Sequence, residues 1–295
     1  DDIFFLSADF GSPVLDKIRA DFPNRFVNVG IAEQNLINIS AGLALEGHTV
    51  FAYAIAPFIT MRCYEQTRVS LALLSNVRPM NVNLIGVGAG YSYVVSGPTH
   101  QCYEDITLMR GMPNFDVLSP SDHIASESMF NFCYEKVGPK YLRLDAQVLE
   151  PIYSDEAPDI SVGFSALSKG EKVCIMATGY MVHCAREVLA RLTAKGMNIG
   201  LIDIYNLSSF DQAMLSDEIS RYQHLITLEE GFKSRGGLDS LMFDFVNKMN
   251  LQVSIHNFGV SEYSFELGSR LELHDSVGIG PDAVEKKVIE LMAEQ

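Results

Sequence analysis

Short apolar runs alternate with longer stretches of helical periodicity along the whole chain, the pattern of largely parallel sheets covered by helices. In the first half, runs at 3–6, 26–29, 49–54, 81–87, 116–118 and 141–144 read as strands. Amphipathic stretches at 33–45, 58–74 and 122–136 read as helices between them. The segment PIYSDEAPDI then breaks the pattern with two prolines and three acids, and reads as a linker. Beyond it the pattern restarts with strands at 173–177, 199–204, 225–228 and 253–258 and helices at 182–195, 211–221 and 282–293. A further helix is expected after the Gly236-Gly237 pair, and Glu229-Glu230-Gly231 reads as a turn. The expectation is an α/β protein of two domains, 1–150 and 162–295, joined by a linker at 151–161. Each domain should be a mostly parallel sheet flanked by helices.

Composition narrows the function classes. With 47% hydrophobic residues, 295 residues can bury two cores. No run approaches the ~18 apolar residues of a membrane span, and the start, DDIFFLSADF, lacks the basic flank and cleavage pattern of a signal peptide. The 37 acids against 22 Lys and Arg give a formal charge of −15, which opposes nucleic acid as a partner while leaving room for a local phosphate site. Cys63, Cys102, Cys133, Cys174 and Cys184 are odd in number and lack CxxC spacing, so they read as free thiols in a reducing, cytoplasmic setting, with no structural zinc.

Three segments could carry chemistry. In Asn28-Val-Gly-Ile-Ala-Glu33-Gln34-Asn35 a strand ends, a glycine turn follows and a helix starts at an acid. A carboxylate there is favoured by the helix amides, and either serves a ligand or only complements the dipole. In FAYAIAPFITMRCYEQ the aromatics Tyr53, Phe58 and Tyr64 cluster at a strand-to-helix junction, where they could stack on a flat heterocycle or simply fill the core. Gly86-Val-Gly-Ala-Gly90 is followed by YSYVVSG, and no acid lies about twenty residues on in a second strand, so it is a loop open to a ligand and not a dinucleotide fingerprint. His100, in the Gly-Pro-Thr-His turn, is placed to handle a proton or donate to a substrate.

In order and spacing, NVGIAEQN, PF…CYEQ, SGPTHQ and MPNFDVLSPSD resemble the C-terminal half of transketolase and of 1-deoxyxylulose-5-phosphate synthase, related to the beta subunits of 2-oxoacid dehydrogenases. The resemblance covers nearly the whole chain. It implies that the first domain binds the aminopyrimidine of thiamine diphosphate and that Glu33 hydrogen-bonds the pyrimidine ring nitrogen, promoting the imino tautomer that removes the thiazolium proton. It implies further that Phe58 stacks on the pyrimidine, that Tyr64 and Arg62 lie nearby, and that Asp9 sits near the cofactor and a subunit interface. His100 matches a histidine that contacts the substrate or intermediate.

Departures from the family pattern bear on substrate and partner. Ser96 replaces an acid that contacts sugar hydroxyls, and Gly88 and Ala146 stand where a histidine and an arginine would bind phosphate. Loss of such donors points to an unphosphorylated or nucleotide-linked sugar. No Gly-Asp-Gly motif for Mg²⁺ and diphosphate occurs in the chain. The expected enzyme is therefore a transketolase-like transferase working only with a separate N-terminal subunit that holds Mg²⁺ and the diphosphate, in a self-paired α2β2-type assembly. The chain opens almost directly in a strand, without the family's leading helix, and so reads as a trimmed version. Alternatives are a 2-oxoacid dehydrogenase beta subunit, a deoxyxylulose-synthase-like enzyme, or an inert assembly module.

Overall fold

The computed structural model describes residues 2–9, 13–154 and 157–294. Its first sheet is built from β1 (Ile3–Ser7), β2 (Phe26–Asn28), β3 (Thr49–Ile55), β4 (Asn81–Val87), β5 (Asp116–Leu118) and β6 (Gly138–Leu144), in the order β2-β1-β3-β4-β6-β5, every pair parallel. The second comprises β7 (Phe164–Ser168), β8 (Val173–Ala177), β9 (Gly200–Ile204), β10 (His224–Phe232) and β11 (Ser254–Val260), in the order β11-β10-β8-β9-β7. Only β7 runs antiparallel, on β9. Helices α1 (Pro13–Asp21), α2 (Glu33–Leu45), α3 (Tyr64–Gln66), α4 (Asp105–Arg110) and α5 (His123–Glu135) belong to the first domain. Helices α6 (Met181–Ala194), α7 (Gln212–Ile219), α8 (Leu238–Lys248), α9 (Arg270–Ser276) and α10 (Pro281–Ala293) belong to the second.

Where this departs from the sequence pattern, local physics explains it. Strand β6 starts earlier than Tyr141 and contains Pro139, a residue normally kept out of paired strands. It is tolerated because β5 pairs with β6 only from Lys140 onward. The expected turn at Glu229-Glu230-Gly231 is instead the end of β10, with both acids buried. Burial is possible because Glu230 accepts from Arg270 and His274, and Glu229 accepts from the Asp239 amide. The single helix expected at 58–74 is broken into a π turn at Phe58–Arg62, α3, a second π segment at Thr67–Leu73 and a 3₁₀ turn at Leu74–Asn76.

The two domains are knitted together. Backbone bonds join Ser119 to Tyr205 and Leu207 to Val117. Arg110 donates from Nε to Leu207 O at 2.9 Å and from Nη1 to the carbonyls of Gly236 and Gly237. Arg143 of β6, fully surrounded by protein, donates to Asp105 at 2.8 Å and to Glu230 O at 2.8 Å. In the expected linker, Ile152 N and Tyr153 N donate to Asp122, and the Tyr153 hydroxyl donates to Asp203 across the domains. Residues 155 and 156 of that linker lie outside the described residues. No helix among the described residues is long and apolar enough to cross a membrane. All five cysteines are free and buried, and burial pushes the thiols of Cys63, Cys133 and Cys184 up to about 12, so they pack as small apolar groups.

Candidate functional site

Asp9, Glu33, Phe58 and Gly88 follow the carboxyl ends of β1, β2, β3 and β4, which are neighbours in the first sheet. This is the edge at which open α/β sheets hold ligands, because strands end there and helix amides begin. Glu33 opens α2, behind an Ala32 cap that makes no side-chain bond, and is only 3% exposed. Its two oxygens accept from Arg62 Nη1 at 2.8 and 2.9 Å.

The helical turn at Phe58–Arg62 places that contact. Phe58 and Arg62 stand four residues apart, about one helical turn, and side chains at that spacing share a face. The Arg62 guanidinium accordingly lies over the Phe58 ring, 4.3 Å from its centroid. Glu33 and Phe58 thus hold a flat, positively charged, hydrogen-bonding group between an acid and an aromatic face. His100 completes the cluster edge-on to Phe58, with ring centroids 5.5 Å apart. Its Nδ1 lies 3.0 Å from Thr99 Oγ1, and among the described residues no side chain bonds its Nε2.

The remaining expected site residues have other partners. Asp9, exposed and with a positive φ of 53°, accepts from Asn28 Nδ2 at 2.9 Å. Asn28 in turn accepts from the Gly30 amide at 2.9 Å, so the pair shapes the turn leading to Glu33. Tyr64 directs its hydroxyl to Leu108 O at 3.3 Å, which ties α3 to α4. Of the positions that depart from the family pattern, Ser96 and Ala146 are exposed. Gly88 adopts φ 85°, and a Cβ there would lie 1.8 Å from the Tyr93 ring. Tyr93 also faces His100, with centroids 6.4 Å apart. Sequence reasoning passed over Tyr93, and the glycine in its path was the available signal. Among the described residues no group of three or more His, Cys, Asp or Glu side chains could hold a metal ion.

Residues 1–151 match the family described as transketolase, pyrimidine binding domain, and residues 164–284 match transketolase, C-terminal domain. The chain belongs to the transketolase family. It is 30% identical over 90% of its length to one of the subunits of apulose-4-phosphate transketolase from Actinobacillus succinogenes, covering 84% of that protein. It is 29% identical to 1-deoxy-D-xylulose-5-phosphate synthase of Shouchella clausii over 97% of its length, but covers only 45% of that relative. Among solved structures, a split-gene transketolase described as an inactive β4 tetramer superposes with a TM-score of 0.86 at 28% identity, covering all of this chain and 93% of that one. The resemblance drawn from four motifs is therefore borne out across both domains, and with it the relation to deoxyxylulose synthase.

Proposed function

We propose that this chain is the pyrimidine-binding subunit of a two-chain, thiamine-diphosphate-dependent transketolase, transferring a two-carbon ketol unit between small sugars. The carrying observation is the capture of a planar cation between Glu33 and Phe58, because an aminopyrimidine asks the same two things of a site: a face to stack on and an acid for its ring nitrogen. The residues fit that group. For the ring nitrogen to bond Glu33, Arg62 must give up at least one carboxylate oxygen, and its 45% exposed side chain is free to rehydrate when it does. When bound, the cofactor supplies the electron sink for carbon–carbon cleavage beside a ketose carbonyl. This chain's part is electrostatic and positional: Glu33 stabilises positive charge at the ring nitrogen, Phe58 orients the ring, and His100 offers Nε2 to a substrate oxygen.

The diphosphate and its Mg²⁺ fall to a partner subunit in this reading, since Mg²⁺ with a diphosphate needs oxygen ligands in a near-octahedral array. Two relatives support a required partner, one named as a single subunit of its transketolase and the other as an inactive β4 tetramer. An α2β2-type assembly and a cytoplasmic location belong to the same reading, the latter resting on the free thiols. Absence of phosphate donors at Gly88 and Ala146 favours an unphosphorylated or nucleotide-linked sugar, whereas the Actinobacillus relative is named for a sugar phosphate. Calorimetric titration of thiamine diphosphate and Mg²⁺ into the chain alone, and into the chain mixed with its diphosphate-binding partner, tests the assignment. Binding and ketol transfer only in the mixture are expected. Tight binding by the chain alone would overturn the split site, and a higher kcat/KM for xylulose 5-phosphate than for free or nucleotide-linked ketoses would overturn the narrower substrate reading.

A further inference from the structure

The loop that carries His100 is held from the second domain, not only by its own strand. Gly90 and Cys102 exchange backbone bonds of 2.9 and 3.0 Å and pinch the loop at its base. Between them, fully buried Tyr91 packs on Tyr103, 4.8 Å between centroids, and edge-on to His274 of α9 at 5.6 Å. Gly90 passes so close to Glu230 of β10 that a Cβ would lie 2.1 Å from its Oε2. One residue beyond Tyr91, Ser92 Oγ donates to Asp145 Oδ1 at 2.7 Å and accepts from the Ala146 amide at 2.8 Å. The other oxygen of Asp145 accepts from Arg270 Nη1 at 2.6 Å. Arg270 also grips Glu230 through Nε and Nη2, at 2.7 and 2.6 Å, and lies 3.5 Å over the Tyr180 ring. His274 lies 2.5 Å from the same Glu230 carboxylate.

Ser92, Glu230, Arg270 and His274 are buried, the Asp145 side chain is 10% exposed, and each has a geometrically demanding partner. A planar guanidinium forked onto Glu230 and bonded to Asp145 has little freedom to shift. Tyr93, which follows Ser92 directly, lies over Gly88 and beside His100. Fixing Ser92 therefore fixes the wall against which the His100 imidazole stands. We propose that Arg270, Asp145 and Ser92 are positioning residues for His100, so that the second domain sets the aim of the substrate-contacting loop in addition to packing against the first. The proposal rests on the ketol-transfer reading only for its kinetic consequence.

Ser92→Ala, which removes one oxygen, and Arg270→Lys, which keeps the charge but loses the fork, test it from the two ends. In the chain alone, the His100 imidazole resonances, assigned with His100→Ala, should shift and broaden in both variants, while those of His123 on α5 stay in place. In the assembled enzyme, Ser92→Ala should lower kcat about tenfold while leaving cofactor affinity within about twofold, and in a His100→Ala background it should change kcat by less than about twofold. Unmoved His100 resonances would overturn the proposal whatever the activity. So would an equal loss of kcat in both backgrounds, because a merely structural residue weakens the enzyme with or without His100. Should Arg270→Lys fail to fold, Asp145→Asn is read in the same way. If the resonances move but the wild-type pair transfers no ketol unit, the functional assignment fails and the positioning stands.

Discussion

Glu33→Gln separates a catalytic carboxylate from a structural one, since glutamine has the same shape without the charge. In the free chain the cost should be small. The substitution weakens one partly exposed ion pair, Arg62 is 45% exposed and can rehydrate, and the amide oxygen can still accept one bond. Such pairs contribute about 1 kcal/mol or less, which for two domains of this size corresponds to a fall in Tm of no more than about 3 °C. On the proposed reading, the same change in the assembled enzyme would remove a preorganised charge that supports the cofactor's ring nitrogen. Contacts of that kind are worth about 10²–10³ in kcat. The assay pairs thermal unfolding of the free chain with steady-state ketol transfer by the complex at saturating cofactor. A variant that keeps a third or more of wild-type kcat would refute the role of Glu33. A large loss of Tm with a proportionate loss of activity would instead assign the carboxylate to structure and favour an inert module.

Three further outcomes follow from the geometry. Gly88→Ala places a methyl against the Tyr93 ring on a left-handed backbone, so it should cost about 2 kcal/mol or more and lower kcat by displacing Tyr93 from His100, measured by urea unfolding and kinetics. Asp203, fully buried and accepting from Ser121 and Tyr153, is pushed up to about 7 by burial. Its folded-state pKa lies above the unfolded value of about 3.9, so its contribution is complete below that value and is lost as pH rises through about 7, a ceiling on the order of 4 kcal/mol. Glu229, likewise pushed up to about 7 by burial, acts in the same window. Asp203→Asn should therefore reduce, not abolish, the decline in urea-unfolding free energy between pH 4 and 7, and an unchanged decline would show that Asp203 is not a source of it.

What could be read from sequence alone were features that local chemistry repeats at short range. A fully buried parallel strand can be a continuous apolar run, so β8, VCIMA, was recognisable without a fold. The acid that opens α2 and the glycine turn before it lie within a few residues of each other, so spacing marked Glu33 either as a ligand-serving acid or as a dipole partner, and its assigned role came from the family resemblance. The Ser269–Glu272 capping box was also present in the sequence as the signal for α9, although the helix itself was not anticipated.

What tertiary structure decided were contacts whose partners are distant in sequence. Two adjacent glutamates look like a turn until Arg270 and His274, some forty residues on, neutralise one of them inside β10. A helical run at 58–74 places Arg62 over Phe58 but cannot announce that its guanidinium will meet Glu33, 29 residues earlier. The hold on the His100 loop is invisible in sequence for the same reason, since Ser92, Asp145 and Arg270 are joined only when the two domains pack. Periodicity records which face of an element is buried. Which charge meets which is fixed only by closing the loops between elements, and that information is not local.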